Sequence, residues 1–406
     1  MFPLALAHWL ADSGLRNLPL EELVDGFSRR LNDAGVPVAR VFVGMNTLHP
    51  LVRARSLIWD RVTGPSTHFE IQHAEIDQAI IRQSPFATML KEGIFEQRRK
   101  IDEPGIGEGW PVFDELRDAG MTEWLGCVFP FGELAPEVGD AGTPERVSQL
   151  WLVLSLTTDR AGGFDDVHIA NLRDVLPLFA LAVKGATAAS LGQGLLAAYL
   201  GTDPARRVLA GSVQRGEVQS VEAVLLYADL RSFTPFADTL PGNELMTLLD
   251  GCFDCMVRPV HRHGGEVLKF LGDGLLAIFR INQRHRSEIC ASALAAASEA
   301  LDLMDMLAGA RRLEGKETPG LDIALHVGTV QYGNVGTDAR LDFTVIGPAV
   351  NEAARIEVLC KDLGQPLLIS AAFADSATSS RAHLVSLGRH RLRGVREETE
   401  LFGLAS

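Results

Sequence analysis

The stretch GTDPARRVLAG, Gly201–Gly211, divides this chain into two kinds of sequence. A long apolar helical pattern runs up to Leu200, where Gly201 and Pro204 break it. Before the break, strand-like runs come mostly as neighbours, with helical patterns at both ends of the region. After it, from Val221 onward, strands alternate with helices. With 406 residues the chain has the length for two or three domains, each with its own core. The expectation is an α+β protein of two domains: residues 1–190, a helical linker over 191–215, and residues 216–406.

Composition narrows the classes of function. Hydrophobic content of 47% and charged content of 22% describe an ordinary soluble globular chain. A formal net charge of −14 argues against nucleic-acid backbone or an anionic membrane as the main partner. Any anion this protein handles must be met by local cations or metal ions. Five cysteines make no disulfide framework in a chain of this size, which points to a reducing cytoplasm. The start, MFPLALAHWLADSG, lacks a basic region and a small-residue cleavage site, so no signal peptide is expected. Leu176–Leu200 is interrupted by Lys184, Gln193 and scattered Ser and Gly, and reads as a buried or coiled helix rather than a membrane span.

In the first region, helical patterns over Pro3–Ser13 and Leu20–Ala34 precede the β-rich VARVFVGM and RARSLIWDR, a shorter strand around THFEI, and a helical FDELRDAG. WLGCVFPFG and QLWLVLSLTT flank a polar loop, Glu133–Pro144, and a long helix opens at Phe164-Asp165-Asp166, where acidic residues suit a helix N-terminus. The order predicts an antiparallel sheet covered by helices. LRDAGMTEWLGCVFPF and LWLVLSLTTDRAGGFDDVHIANLRDVLPLFALAV resemble a GAF domain, a small-molecule sensor module. The resemblance is architectural and carries no ligand motif; a helix-capped α+β domain used only for dimerisation is the other reading.

Chemistry concentrates in the second region. Val221–Tyr227 is apolar and β-branched enough for a buried central strand, and it ends at Asp229. Alone, Asp229 also suits a turn or a helix cap. The backbone N–H groups of Leu230, Arg231, Ser232, Phe233 and Thr234 open a helix-like turn and suit phosphate oxygens. KFLGDGLLAIF, Lys269–Phe279, sets Asp273-Gly274 between apolar runs, a two-residue hairpin signal. If the two strands are neighbours, Asp229 and Asp273 meet at one sheet edge as hard oxygen ligands for divalent cations, a site suited to displacement at phosphorus. In DFTVIGPAVNEAARIE, Gly347-Pro348 starts a helix from which Asn351 and Arg355 project at i,i+4 spacing. Such a pair orients a ribose and stabilises charge on a transferring phosphoryl group, or is simply an exposed face.

Together these elements resemble the catalytic domain of class III nucleotidyl cyclases, which has a ferredoxin-like, palm-like fold, and the match covers about residues 205–406. The resemblance implies that Asp229, Leu230 and Asp273 bind two Mg2+ or Mn2+ ions, and that Asn351 and Arg355 stabilise the transition state. It implies that Lys269 reads the base with Thr344, where many relatives carry Asp. Threonine at that position is similar to a bacterial subgroup that includes bicarbonate-responsive adenylyl cyclases. A lysine ammonium only donates hydrogen bonds, which suits the N1 acceptor of adenine and clashes with the N1–H of guanine. A threonine hydroxyl accepts from the 6-amino group. ATP is thus the expected substrate, giving 3′,5′-cyclic AMP and pyrophosphate, with metal ligands and base readers contributed by opposite subunits of a head-to-tail homodimer. Where many relatives have Arg before HVG, this chain has Asp322, which removes one phosphate contact; Arg393, in GRHRLRGV, aligns with a triphosphate-binding Lys. A small-molecule or bicarbonate-type regulator acting through the first region is expected. The alternatives are a cyclase of GTP or a pyrimidine nucleotide, and a silent nucleotide-binding regulatory module.

Three other features carry less. GARRLEGKET fails the P-loop spacing and reads as a solvated loop. Cys252 and Cys255 fall inside a helical pattern with no second pair nearby, so a core role is expected rather than zinc. His261 and His263 precede Gly264-Gly265 and read as a helix terminus.

Overall fold

The computed structural model describes residues 2–47, 50, 52–72, 84–101, 110–131, 150–281, 286–337, 340–378, 381–395 and 397–405. The chain divides into two compact units, Met1–Leu195 and Leu196–Ser406. The expected loop Glu133–Pro144 lies outside the described residues.

The first unit holds a six-stranded sheet of β1 (Arg40–Asn46), β2 (Val52–Asp60), β3 (Gly64–Gln72), β4 (Glu96–Lys100), β5 (Glu123–Phe131) and β6 (Leu150–Thr158), in the order β3-β2-β1-β6-β5-β4. Every neighbouring pair is antiparallel. Alternation along β6 shows how the sheet buries both faces. Leu152, Leu154 and Leu156 join a cluster with Leu6, Phe27 and Phe179 from three helices, while Val153 joins Phe86, Phe113 and Trp124 in another. Two elements had no sequence expectation, the helix Pro85–Glu92 and the short charged strand β4. Among the described residues one helix, Asp166–Leu200, is long and apolar enough to cross a membrane; its residues Ile169, Leu172, Phe179 and Val183 are buried in the core of this unit.

The second unit is built on a mixed sheet of β7 (Val218–Arg231), β8 (Glu266–Leu271), β9 (Gly274–Arg280), β10 (Gly320–Thr337), β11 (Arg340–Ile346), β12 (Leu367–Ser370), β13 (Leu384–His390) and β14 (Thr399–Leu404). Its order is β13-β14-β12-β10-β7-β9-β8, with β11 paired to the far part of β10. Only β10 and β12 run parallel; the other pairs are antiparallel. On β7, Val224, Leu226, Ala228 and Leu230 pack with the helices Gly242–Arg262 and Arg286–Leu313, while Ala223 and Leu225 face a separate core with Tyr332, Phe343 and Ala353. Burial on both faces explains why the sequence of β7 is almost continuously apolar.

The segment expected to be a linker forms the helix Thr202–Leu209, with Pro204 tolerated in its first turn. Asp203 fastens it: the carboxylate accepts from Arg207 Nε at 2.7 Å and the Tyr332 hydroxyl at 3.0 Å, and pairs with Arg280. Part of the expected loop GARRLEGKET also proves helical, because Gly309–Leu313 close the helix Arg286–Leu313. Cys252 lies in the core, and His263 caps the helix Gly242–Arg262 while bonding Glu299 at 2.9 Å. All five cysteines are free.

Candidate active site

Asp229 stands near the end of the central strand β7, directly across the ladder from Asp322 on β10. On its other flank runs β9, whose pairing with β7 ends at Ala228 and Leu275. A side chain at Gly274 would put its Cβ 2.5 Å from both the Ala228 carbonyl oxygen and Asp229 Oδ1. Only glycine lets the hairpin close this tightly, and that closure sets Asp273, the residue before it in the chain, beside the Asp229 carboxylate. The turn differs in detail from expectation. Leu271 pairs with Gly274, so the two loop residues are Gly272 and Asp273, not Asp273 and Gly274. Gly272 supplies the positive φ, +72°, at the first central position.

Charge accumulates around this edge. Burial pushes the Asp229 carboxyl up to about 6, the Asp273 and Asp322 charges push the same way, and the Leu230 N–H opposes them by donating to it. Asp322, where an arginine was expected from the resemblance, is itself buried and takes a forked ion pair from Arg231. The Arg231 Nε donates to Oδ2 at 2.9 Å and Oδ1 at 3.1 Å, and a terminal nitrogen also donates. The Arg231 guanidinium is therefore held by the protein. The helix-like turn expected from Leu230 onward starts later, because Leu230 and Arg231 still pair with β10; beyond them Ser232 adopts a left-handed φ of +59°, and Phe233 precedes the short helix Thr234–Thr239.

Sequence reasoning missed a fourth carboxylate, Glu357, 9% exposed on the helix Pro348–Leu363. Burial pushes it up to about 7, with further contributions from Asp229, Asp322 and Asp273. No cation among the described residues pairs with it. The signal was present: Ala349, Ala353, Ile356 and Cys360 mark the buried face of that helix, and Glu357 falls on it. Among the described residues no three His, Cys, Asp or Glu side chains form a closed metal-ligand cluster.

The remaining candidates fall in two places. Asn351 is exposed and Arg355 half-buried on the outer side of the same helix. A Cβ on Gly394 would lie 3.6 Å from an Arg355 terminal nitrogen, so the guanidinium sits against the turn that also carries the exposed Arg393. Lys269 is exposed on β8 and pairs with Asp342 of β11, the strand that holds the half-buried Thr344. No hydrogen bond or ion pair joins Lys269 or Arg355 to Asp229 or Asp273 among the described residues.

A mixed sheet with helices on both faces and an excess of carboxylate at the end of its central strand is the class of domain this geometry defines. Residues 216–406, nearly all of the second unit, match the family described as the adenylate and guanylate cyclase catalytic domain. The chain is 30% identical over 163 residues to an adenylate cyclase of Anabaena cylindrica, an overlap covering 39% of this chain and 31% of the relative. It is 30% identical over 154 residues to adenylate cyclase 1 of Rhizobium meliloti, covering 37% of this chain and 23% of the relative. The matches thus span less than a third of these curated relatives. Among solved structures, the adenylyl cyclase CyaB from P. aeruginosa aligns at 22% identity and a TM-score of 0.42, covering 47% of this chain and 96% of that one.

Proposed function

We propose that this protein is an adenylate cyclase, converting ATP to 3′,5′-cyclic AMP and pyrophosphate in its second unit. The observation that carries the reading is the closure at Gly274, which joins Asp229 and the Asp273 turn at one sheet edge. The donor set fits hard divalent cations: two carboxylates at a strand end, backed by a buried Glu357 with no cation partner among the described residues. Asp229, Asp273 and the backbone of Leu230 would hold two Mg2+ or Mn2+ ions. When bound, these lower the pKa of the ribose 3′-hydroxyl and neutralise charge on the triphosphate.

The protein's own groups supply position and charge. The ribose 3′-oxygen attacks the α-phosphorus in line as pyrophosphate leaves, and no protein nucleophile takes part. Asn351 orients the ribose, and Arg355 stabilises charge on the transferring phosphoryl group. The backbone N–H groups of Ser232–Thr234, which follow the end of β7, together with Arg393, hold the triphosphate. Lys269 donates to adenine N1, and Thr344 accepts from the 6-amino group. In this reading a head-to-tail homodimer unites the carboxylates of one protomer with the base readers of the other. The first unit serves as a GAF-like sensor for a small molecule, a reading supported by its antiparallel six-stranded sheet with helices on both faces. Five free cysteines support a reducing cytoplasm as the setting.

The test is product identity. Purified protein with Mg2+ or Mn2+ is incubated with each of the four common nucleoside triphosphates, and the products are identified by mass spectrometry. Cyclic AMP as the main product supports the reading. Absence of any cyclic nucleotide under both metals, with and without bicarbonate, would defeat it.

A further inference from the structure

We propose that Asp342 is a third determinant of nucleotide choice, a positioning residue that aims the Lys269 ammonium at the base. The inference rests on the proposed base-reading role of Lys269.

Strand β11 has two distinct sides. Phe343 and Val345 are buried in the same apolar cluster as Leu268 of β8. Asp342 and Thr344 alternate with them and belong to the other side of β11. On β8, Lys269 follows Leu268 at the bulge where the register against β9 shifts, and its side chain reaches β11. There the Lys269 ammonium pairs with the Asp342 carboxylate, two residues from Thr344. Thus one small patch of two strands gathers a donor, an acceptor and a hydroxyl that does both.

The pair is poorly placed to serve stability. Its side chains are 43% and 47% exposed, and exposed ion pairs contribute little to folding. What it does fix is direction. Lysine carries a compact charge on a flexible four-carbon stem, so an unheld ammonium samples many positions. An ammonium has three N–H donors and no acceptor. One N–H given to Asp342 leaves two, aimed from a set position on the Thr344 side of the strands.

Adenine presents an acceptor, N1, next to an amino donor, and guanine presents O6 next to an N1–H. A stem anchored on Asp342 matches one of these edges, whereas a released stem reaches either N1 or O6. Asp342 therefore sharpens the preference of the ammonium for the adenine N1 acceptor by keeping its stem from swinging to guanine O6. Half of this arrangement was legible in the sequence as Lys269 and Thr344; the other half needed the side-chain contact that brings β11 against β8.

Asp342→Asn and Asp342→Ala are compared with the wild-type chain on ATP and GTP, with Asp342→Glu as the conservative rescue. The KM for ATP is expected to rise about tenfold, the loss of one charge-assisted hydrogen bond at a part-exposed site. The kcat should fall less than about threefold, and the preference for ATP over GTP should shrink by about the same tenfold factor as KM rises. Asp342→Glu should recover most of both. Affinity is also read directly with 3′-deoxy analogues of ATP and GTP, which lack the attacking hydroxyl. Unchanged KM, affinity and preference in the Asn and Ala variants would overturn the proposal. So would a joint fall in kcat and melting temperature at constant KM, the mark of a purely structural residue. A wild-type chain that binds 3′-deoxy-ATP but forms no cyclic product would defeat the catalytic reading, and the affinity series would still decide the role of Asp342. Binding of neither analogue would overturn both.

Discussion

Glu123 in the first unit and Glu357 in the second are both buried glutamates, yet their surroundings are opposite. Glu123, 1% exposed, accepts from Arg98 Nε at 2.6 Å, Lys100 Nζ at 3.3 Å and the Phe164 N–H at 2.6 Å. Every part of that carboxylate is answered within the chain, and it ties β4, β5 and the start of the long helix together. Glu357 faces Asp229, Asp322 and Asp273 instead, and the nearby Arg231 is spent on Asp322. The difference separates architecture from chemistry. A buried charge met by its own chain holds a fold together, whereas buried like charges without a counterion mark where positive charge has to come from outside.

The largest break in this contrast is expected at the tip of the β8–β9 hairpin. Asp273→Asn keeps the shape of the turn and removes one of the two proposed metal-binding carboxylates. Cyclase activity should fall by roughly a hundredfold or more, the scale seen when a group stabilising transition-state charge is removed. The melting temperature should stay the same or rise, since the substitution relieves repulsion with Asp229. Retained activity would remove Asp273 from the metal site.

Identical chemistry at the two glutamates should give opposite signs. Glu123→Gln leaves Arg98 and Lys100 without their anion and should destabilise the first unit by about 3 kcal/mol, the low end for a broken buried pair because both cations are part-exposed. Glu357→Gln removes a repelled charge. At pH 8 without metal it should stabilise the protein by on the order of 2 kcal/mol. Denaturant titration of each variant checks both, and destabilisation by Glu357→Gln at pH 8 would show that an unrecognised cation compensates it.

How these sites were read from sequence follows from the range of each signal. Local patterns carried far: the alternating and continuous apolar runs located most strands, and the Gly201 and Pro204 breakers located the end of the long helix. Asp229 and Asp273 stood out because each lies at a strand end with punctuation around it, and Asn351 and Arg355 by their i,i+4 spacing on the helix that Gly347-Pro348 opens. Glu357 and Asp342 did not. Both look like ordinary charged residues within an element, and their meaning comes from a neighbour distant in the chain. Asp322 was flagged only as a departure from the resemblance. Its pairing with Arg231 depends on the β7–β10 register, which sequence alone leaves open. The charged strand β4 was invisible for a related reason: its Arg98 and Lys100 read as solvated residues until Glu123 is placed opposite them.

The smallest effect, and the one that tests the comparison most directly, is the linkage between pH and metal. Without metal, Glu357 titrates near 7 when folded and near its ordinary 4.5 when unfolded; Asp229 titrates near 6 rather than 3.8. Stability from these groups is fully present below about 4 and is lost as pH rises through 6 and 7, because the folded chain then gives up protons it holds more tightly. His326 works the other way. Burial lowers it to about 4 from 6.5, so its contribution is present above 6.5 and is lost as pH falls through 4. The metal-free melting curve mixes the two trends, but the gain on adding Mg2+ isolates the carboxylates, since a cation binds them best when they are ionised. That gain should be small at pH 5 and larger by roughly 2–4 °C at pH 8, for about 1 kcal/mol of linked stabilisation. Calorimetric titration in two buffers of different ionisation enthalpy should detect protons released on Mg2+ binding near pH 6. In Glu357→Gln both the pH dependence and the proton release should shrink. A Mg2+ gain that is flat with pH would mean the cation does not meet this cluster, and the contrast with Glu123 would then be one of packing alone.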